Sequence, residues 1–146
     1  MPDFRGSCLR GAVAFEYTGP IHGLQACHGL RCRKFYGSAF GPIAIINREG
    51  FAFSSGNERI RSFPASARVN RYFCRTCGAP LPVEEEWEPL VGMPLGLVEG
   101  DLGQVMGRHI FVGSRAPWCE VAGDGVQHEA WPPNEDMNER FGGLIE

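Results

Sequence analysis

The sequence predicts a mainly β protein with little helix. Twenty glycines and 11 prolines are spread through 146 residues, a density that interrupts helices and favours short strands joined by turns. Between those breaks, β-branched and aromatic residues recur in short runs. Hydrophobic residues make up 43% and charged residues 21%, the balance of a folded globular chain rather than a disordered one. A chain of this length is expected to form one domain over residues 1–146, with a core at about 5–132 and a polar tail.

Leu9–Tyr17 alternates, with Val13, Phe15 and Tyr17 on one face, and predicts a first strand that starts near Cys8 and ends at Gly19-Pro20. Leu30–Ser38, containing Arg31, Arg33, Lys34 and Phe35, suits one or two helical turns. Strands are expected at Pro42–Ile46, Phe51–Phe53, Arg59–Phe63 and Val69–Phe73, with a turn at Asn47–Gly50. Further strand-like stretches cover Ala79–Glu85 and Leu90–Val98, broken by Pro80, Pro82 and Pro94, and His109–Val112. Beyond Glu120 the chain reads as a tail packed on the body.

Net charge is −3 with no basic block, which argues against a nucleic-acid partner, whose phosphates demand many Lys and Arg contacts. No apolar stretch is long enough to span a membrane, and Met1-Pro2-Asp3-Phe4-Arg5 does not read as a secretory signal. A cytoplasmic location is therefore expected. There, six cysteines are more readily metal ligands or reactive groups than disulfides.

Cys74-x-x-Cys77-Gly78 is the sharpest signal. Two thiolates on a tight turn can face one tetrahedral zinc, and the glycine eases that turn. Strands on either side favour a zinc knuckle over a redox motif, which wants a following helix. Coincidental burial of the two thiols is the remaining reading. Cys27-x4-Cys32 is weaker, and both could be small buried hydrophobes. Cys119 has no partner in sequence. Trp118 could line a cleft or fill the core, since three tryptophans, with Trp87 and Trp131, need burial somewhere. Glu84–Glu86 and Asp101 show no acid–base pairing, and the glutamates read as a strand end entering solvent.

The order of these motifs resembles the glutathione-dependent formaldehyde-activating enzyme family, also called centromere protein V-like. Gly6-Ser7-Cys8-Leu9-Arg10-Gly11-Ala12-Val13 resembles the family opening G-x-C-x-C-G-x-V, and Cys27-His28-Gly29-Leu30-Arg31-Cys32-Arg33-Lys34 resembles C-H-C-x-x-C-R-K. Phe73–Leu81 and His109–Trp118 are similar to the family's F-C-x-x-C-G-x-x-L and H-I-F-V-G-S-K-A-P-W segments. The resemblance covers roughly residues 5–132. It implies a β-tent of antiparallel sheets pinned by zinc, a structural zinc on the first C-x-C and later C-x-x-C, and a catalytic zinc on C-H-C-x-x-C. The implied activity is of the carbon–sulfur lyase type, joining glutathione to an aldehyde.

Two replacements set this chain apart: Arg10 and Gly29 stand where the family carries cysteine. Cys8, Cys74 and Cys77 then remain for the structural site, and Cys27 and Cys32 for a degenerate second one. Arg10 cannot ligate, because its guanidinium only donates, though it could pair with a thiolate. His28 reads as a packing or hydrogen-bonding residue before a ligand, and so do His22, His109 and His128. One zinc per chain is expected at Cys8/Cys74/Cys77, with two, none, or a merged site that includes Cys27 and Cys32 as alternatives. If the chain is an enzyme, Cys27 and Cys32 are its candidate catalytic residues, with Arg33 and Lys34 as partners for glutathione carboxylates. Those two charges could equally be a solvated helix face. The competing function is a non-catalytic β-tent module that binds a small thiol or a protein.

Overall fold

The computed structural model describes residues 1–65, 70–82 and 90–130. They form strands β1 (Phe4–Ser7), β2 (Ala14–Tyr17), β3 (Ile21–Cys27), β4 (Gly41–Asn47), β5 (Phe51–Ser55), β6 (Ile60–Pro64), β7 (Asn70–Cys74), β8 (Leu90–Pro94), β9 (Val98–Glu99), β10 (Arg108–Ile110) and β11 (Val126–Gln127). Helix α1 (Leu30–Tyr36) joins β3 to β4. The protein is mainly β with little helix, as its glycine and proline content predicts.

Three sheets result, ordered β5-β2-β1-β9, β11-β10-β3-β4-β8 and β6-β7. Most pairs are antiparallel, but β10 runs parallel to both β3 and β11. The expected antiparallel sheets are present, with β10 and β11 added in parallel at one edge. Parallel pairing needs a long return connection, and the excursion through β4 to β9 supplies it for β3 and β10.

The first predicted strand is divided. β1 precedes Cys8 and β2 begins only at Ala14, so Cys8 sits in the turn between them instead of at a strand start. That turn is closed by Gly11 N–H to Cys8 O at 3.0 Å and Cys8 N–H to Val13 O at 2.9 Å, with Gly11 at φ +77°. The predicted alternation is retained, since Val13, Phe15 and Tyr17 are all buried. α1 starts at an extended Gly29 and ends at a left-handed Gly37, the stop that glycine makes inexpensive.

Leu90–Val98 is also divided. Pro94 ends β8, a 3-10 turn covers Leu95–Leu97, and β9 pairs with β1, so this segment crosses from the five-stranded to the four-stranded sheet. β10 stops at Ile110, because Phe111 turns left-handed (φ 58°) into a 3-10 turn over Val112–Ser114. Residues 121–130 pack on the body through His128 N–H to His109 O (2.9 Å) and Val112 N–H to His128 O (3.0 Å). Val69, the Val83–Glu85 end of the Ala79–Glu85 prediction, Glu86, Trp87 and Trp131 lie outside the described residues.

The core has three parts. Phe4, Phe15 and Tyr17 of one sheet meet Leu24, Ala44, Ile46, Val91 and Met93 of the other. The opposite face of the five-stranded sheet, with Ile43, Ile45, Leu90 and Ile110, packs with Cys27, Cys32 and Tyr36. β4 is thus apolar on both faces, which explains its uninterrupted run. A third cluster gathers Cys8, Val13, Cys74 and Leu81 beside the two-stranded sheet. No described helix is long and apolar enough to cross a membrane.

Candidate metal centre and thiol pair

The third cluster brings together the thiols of Cys8, Cys74 and Cys77, whose sulfur atoms all lie within 4.8 Å of one another. They come from two turns of the same style. Val13 N–H donates to Cys8 Sγ at 3.3 Å and Thr76 N–H to Cys74 Sγ at 3.3 Å. Gly78, at φ +77°, closes the second turn with its N–H on Cys74 O at 2.7 Å. Burial raises the Cys77 thiol, but N–H groups of Ala79 and Arg10 and the thiols of Cys8 and Cys74 outweigh it and bring it down to about 7. Donors aimed at sulfur favour thiolate. Three convergent cysteine sulfurs are a donor set that suits a metal ion such as zinc.

Arg10 takes part through its backbone N–H, while its side chain is exposed. The fold therefore uses the peptide, not the guanidinium, at the position where a thiolate pairing was open.

Cys27 and Cys32 form a second, separate pair. Cys27 ends β3, Cys32 lies in the first turn of α1, and the two thiols hydrogen-bond to each other. They are 0% and 2% exposed. Among the described residues no third ligating group joins them, and they are not merged with the other three cysteines. Arg71 does join them: its Nη2 donates to Cys32 Sγ at 3.8 Å, its guanidinium lies 5.0 Å from the Phe35 ring centroid, and it is 3% exposed. The hydrogen bond from Cys27 brings the Cys32 thiol down to about 7 against the opposing effect of burial, with Arg71 helping. Cys27 is pushed up, first by its bond to Cys32 and then by burial. The two shifts run in opposite directions, so thiolate is favoured on Cys32 and the proton on Cys27.

Arg71 was missed by sequence reasoning. Its signal was the strand period: residues 71 and 74 of β7 point to opposite faces, so one strand serves the metal cluster with Cys74 and the thiol pair with Arg71. A cavity of about 280 Å³ is lined by Arg31, Lys34, Phe35, Phe63, Ala65 and Arg71, and Arg71 links it to the pair. Three cations and no carboxylate line it among the described residues. Lys34 is there as expected. Arg33 is not, because it turns away and gives its Nη1 to Ser114 O at 3.1 Å.

His28 is buried and shares a 2.9 Å hydrogen bond, Nε2 to Nδ1, with buried His109. Burial lowers His28 to about 4, and the charges of His109, Arg115 and Arg33 add to the effect. Trp118 is 68% exposed and fills neither core nor the cavity described above. Cys119 is half-buried, its Sγ 3.6 Å from Glu120 O.

Comparison with known proteins places this geometry. An uncharacterized lyase of Schizosaccharomyces pombe is 28% identical over 81 residues, which cover 56% of this chain and 57% of that protein's length. A crystal structure of a Rhodobacter sphaeroides protein superposes with a TM-score of 0.57 at 24% identity, covering 70% of this chain and 97% of the other; it supports the fold. Residues 3–114, which contain both cysteine clusters, match the sequence profile described as glutathione-dependent formaldehyde-activating enzyme. The chain belongs to that family.

Proposed function

We propose that this chain, as one domain over residues 1–146, is a cytoplasmic zinc protein with carbon–sulfur lyase-type activity on an adduct of glutathione, or a related thiol, with an aldehyde. The observation that carries the reading is the buried Cys27–Cys32–Arg71 cluster beside a cavity lined by Arg31 and Lys34. One zinc per chain is assigned to Cys8, Cys74 and Cys77; when bound, it supplies a cross-link between two turns and Lewis acidity. The remaining roles fall to side chains.

Arg31 and Lys34 take the carboxylates of the incoming thiol. Cys32, the thiolate of its pair, accepts the substrate S–H proton. The substrate sulfur then forms a bond to the aldehyde carbon, the carbonyl π pair moves to oxygen, and that oxygen takes the proton from Cys32. Arg71 favours the charged form of Cys32 before the first transfer and after the second, and Cys27 holds the pair in register. A small thiol fits the −3 net charge better than a polymeric partner.

Calorimetry with glutathione and a turnover assay with S-(hydroxymethyl)glutathione test this. Binding with turnover, lowered on the order of a hundred-fold in Cys32→Ser, is expected. The near-complete burial of both thiols favours one second reading, a non-catalytic binding module, which binding without turnover would establish. Absence of binding defeats both.

A further inference from the structure

We propose that Cys27 and Cys32 are a hydroperoxide-sensitive dithiol, in which Cys32 is the sulfur that is oxidised and Cys27 the sulfur that closes a reversible disulfide. The two thiols interact with each other and belong to one apolar cluster, in which no other sulfur stands among the described residues. Gly29 stands between them, and no third donor occupies the pair among the described residues.

The asymmetry of the pair assigns the roles. Cys32 faces the Arg71 guanidinium at 3.8 Å, whereas Cys27 has the Gly29 N–H and the Cys32 sulfur as its hydrogen-bond partners. A buried guanidinium without a carboxylate among its described contacts favours thiolate at the sulfur it touches.

The chemistry balances as a two-electron oxidation. Cys32 thiolate attacks one oxygen of the hydroperoxide, the O–O bond breaks, and the released alkoxide or hydroxide takes the Cys27 proton. Cys27 thiolate then attacks the Cys32 sulfenic sulfur, the S–O bond breaks, and hydroxide leaves. A low-molecular-weight thiol reverses the bond by exchange. If Cys32 is also the proton acceptor proposed above, this oxidation switches that site off. The readouts below need no turnover, so failure here and failure of the lyase reading are distinguishable.

The full chain with its native metal content is treated with hydrogen peroxide, alkylated and mapped by mass spectrometry. Trypsin cleaves at Arg31, so a Cys27–Cys32 disulfide joins two peptides and has lost two hydrogens. Expected are that linkage, its reversal by glutathione, and a dimedone adduct on Cys32 in Cys27→Ser with none on Cys27 in Cys32→Ser. Arg71→Met should slow the reaction on the order of ten-fold, and Arg71→Lys should restore part of the rate. Oxidation confined to other cysteines, a dimedone adduct on Cys27, or metal bound at the pair would overturn the proposal. The disulfide map of the unmutated chain decides even if a variant fails to fold.

Discussion

At the level of single residues, the metal centre turns on Arg10. The family's opening motif carries a cysteine there, and in this chain the same backbone position sends its N–H to Cys77. The side chain is exposed, so replacing it disturbs little packing. Arg10→Cys is therefore expected to add a fourth thiolate and to tighten zinc at least ten-fold or so in a chelator competition; unchanged or weaker binding would count against the three-thiolate centre. Removing a ligand acts in the opposite direction. Cys74→Ser should lose zinc and lower stability by on the order of 3 kcal/mol, or roughly 6–12 °C in Tm. His28 supplies a separate test. Burial holds its folded-state pKa at about 4, below the 6.5 of a free histidine, so the unfolded chain binds the extra proton. The stability it contributes is present above about pH 6.5 and is lost as pH falls toward 4, by about 3 kcal/mol for so buried a group. Denaturant melts at neutral pH and near pH 4.5 should show this loss in the unmutated chain and a smaller one in His28→Gln. Equal losses would place the acid sensitivity elsewhere, for instance at the thiolates.

At the level of elements, β1 is held between β2 and β9, and Gly6 permits that closeness. A Cβ at Gly6 would lie 2.3 Å from Phe15 Cζ and 2.4 Å from Leu97 O, whereas one at Gly96 meets nothing within 4 Å. Gly6→Ala should cost about 3 kcal/mol by overpacking, and Gly96→Ala should be neutral within about 0.5 kcal/mol; equal effects in denaturant melts would contradict the packing of β9 on β1. The same elements show what was legible beforehand. The turns around Cys74–Gly78 and Asn47–Gly50, helix α1 and most strands follow from local chemistry. The division of Leu9–Tyr17 did not, because a turn made by backbone hydrogen bonds to Cys8 leaves only Gly11 as a trace. Arg71 was illegible for a different reason. Its partners, Cys32 and Phe35, are distant in sequence, and only the β7–α1 packing makes a buried arginine affordable there. Arg31 lines the cavity while Arg33 turns to Ser114 O, since the facing of a seven-residue helix is set by what it packs on.

At the level of the molecule, the three cores are unequal, and this determines what the metal stabilises. The sheet-on-sheet core draws on β1 to β4 and β8, while the cysteine cluster lies at the junction of the β1–β2 turn with β7. β7 pairs with β6 alone in its sheet, and an isolated two-stranded ribbon is marginal in water. Its described attachments to the rest include the Cys8, Cys74 and Cys77 cluster with Ile60 and Tyr72, Arg31 reaching Ala65 O, and Arg71 reaching Cys32. Metal removal should then open this corner without dissolving the main core. Hydrogen exchange with and without a strong chelator would measure it. The Val13 and Thr76 amides, which donate to the metal-facing sulfurs, should exchange at least ten-fold faster after removal, as should Gly78. Amides of Ala44, Ile45 and Ile46 in β4, buried between both layers, should keep their protection. Acceleration that is uniform across both groups would mean that the centre supports the whole fold cooperatively. Unchanged exchange at Val13 and Thr76 would mean that the thiols hold their turns without a metal, as packed hydrophobes do.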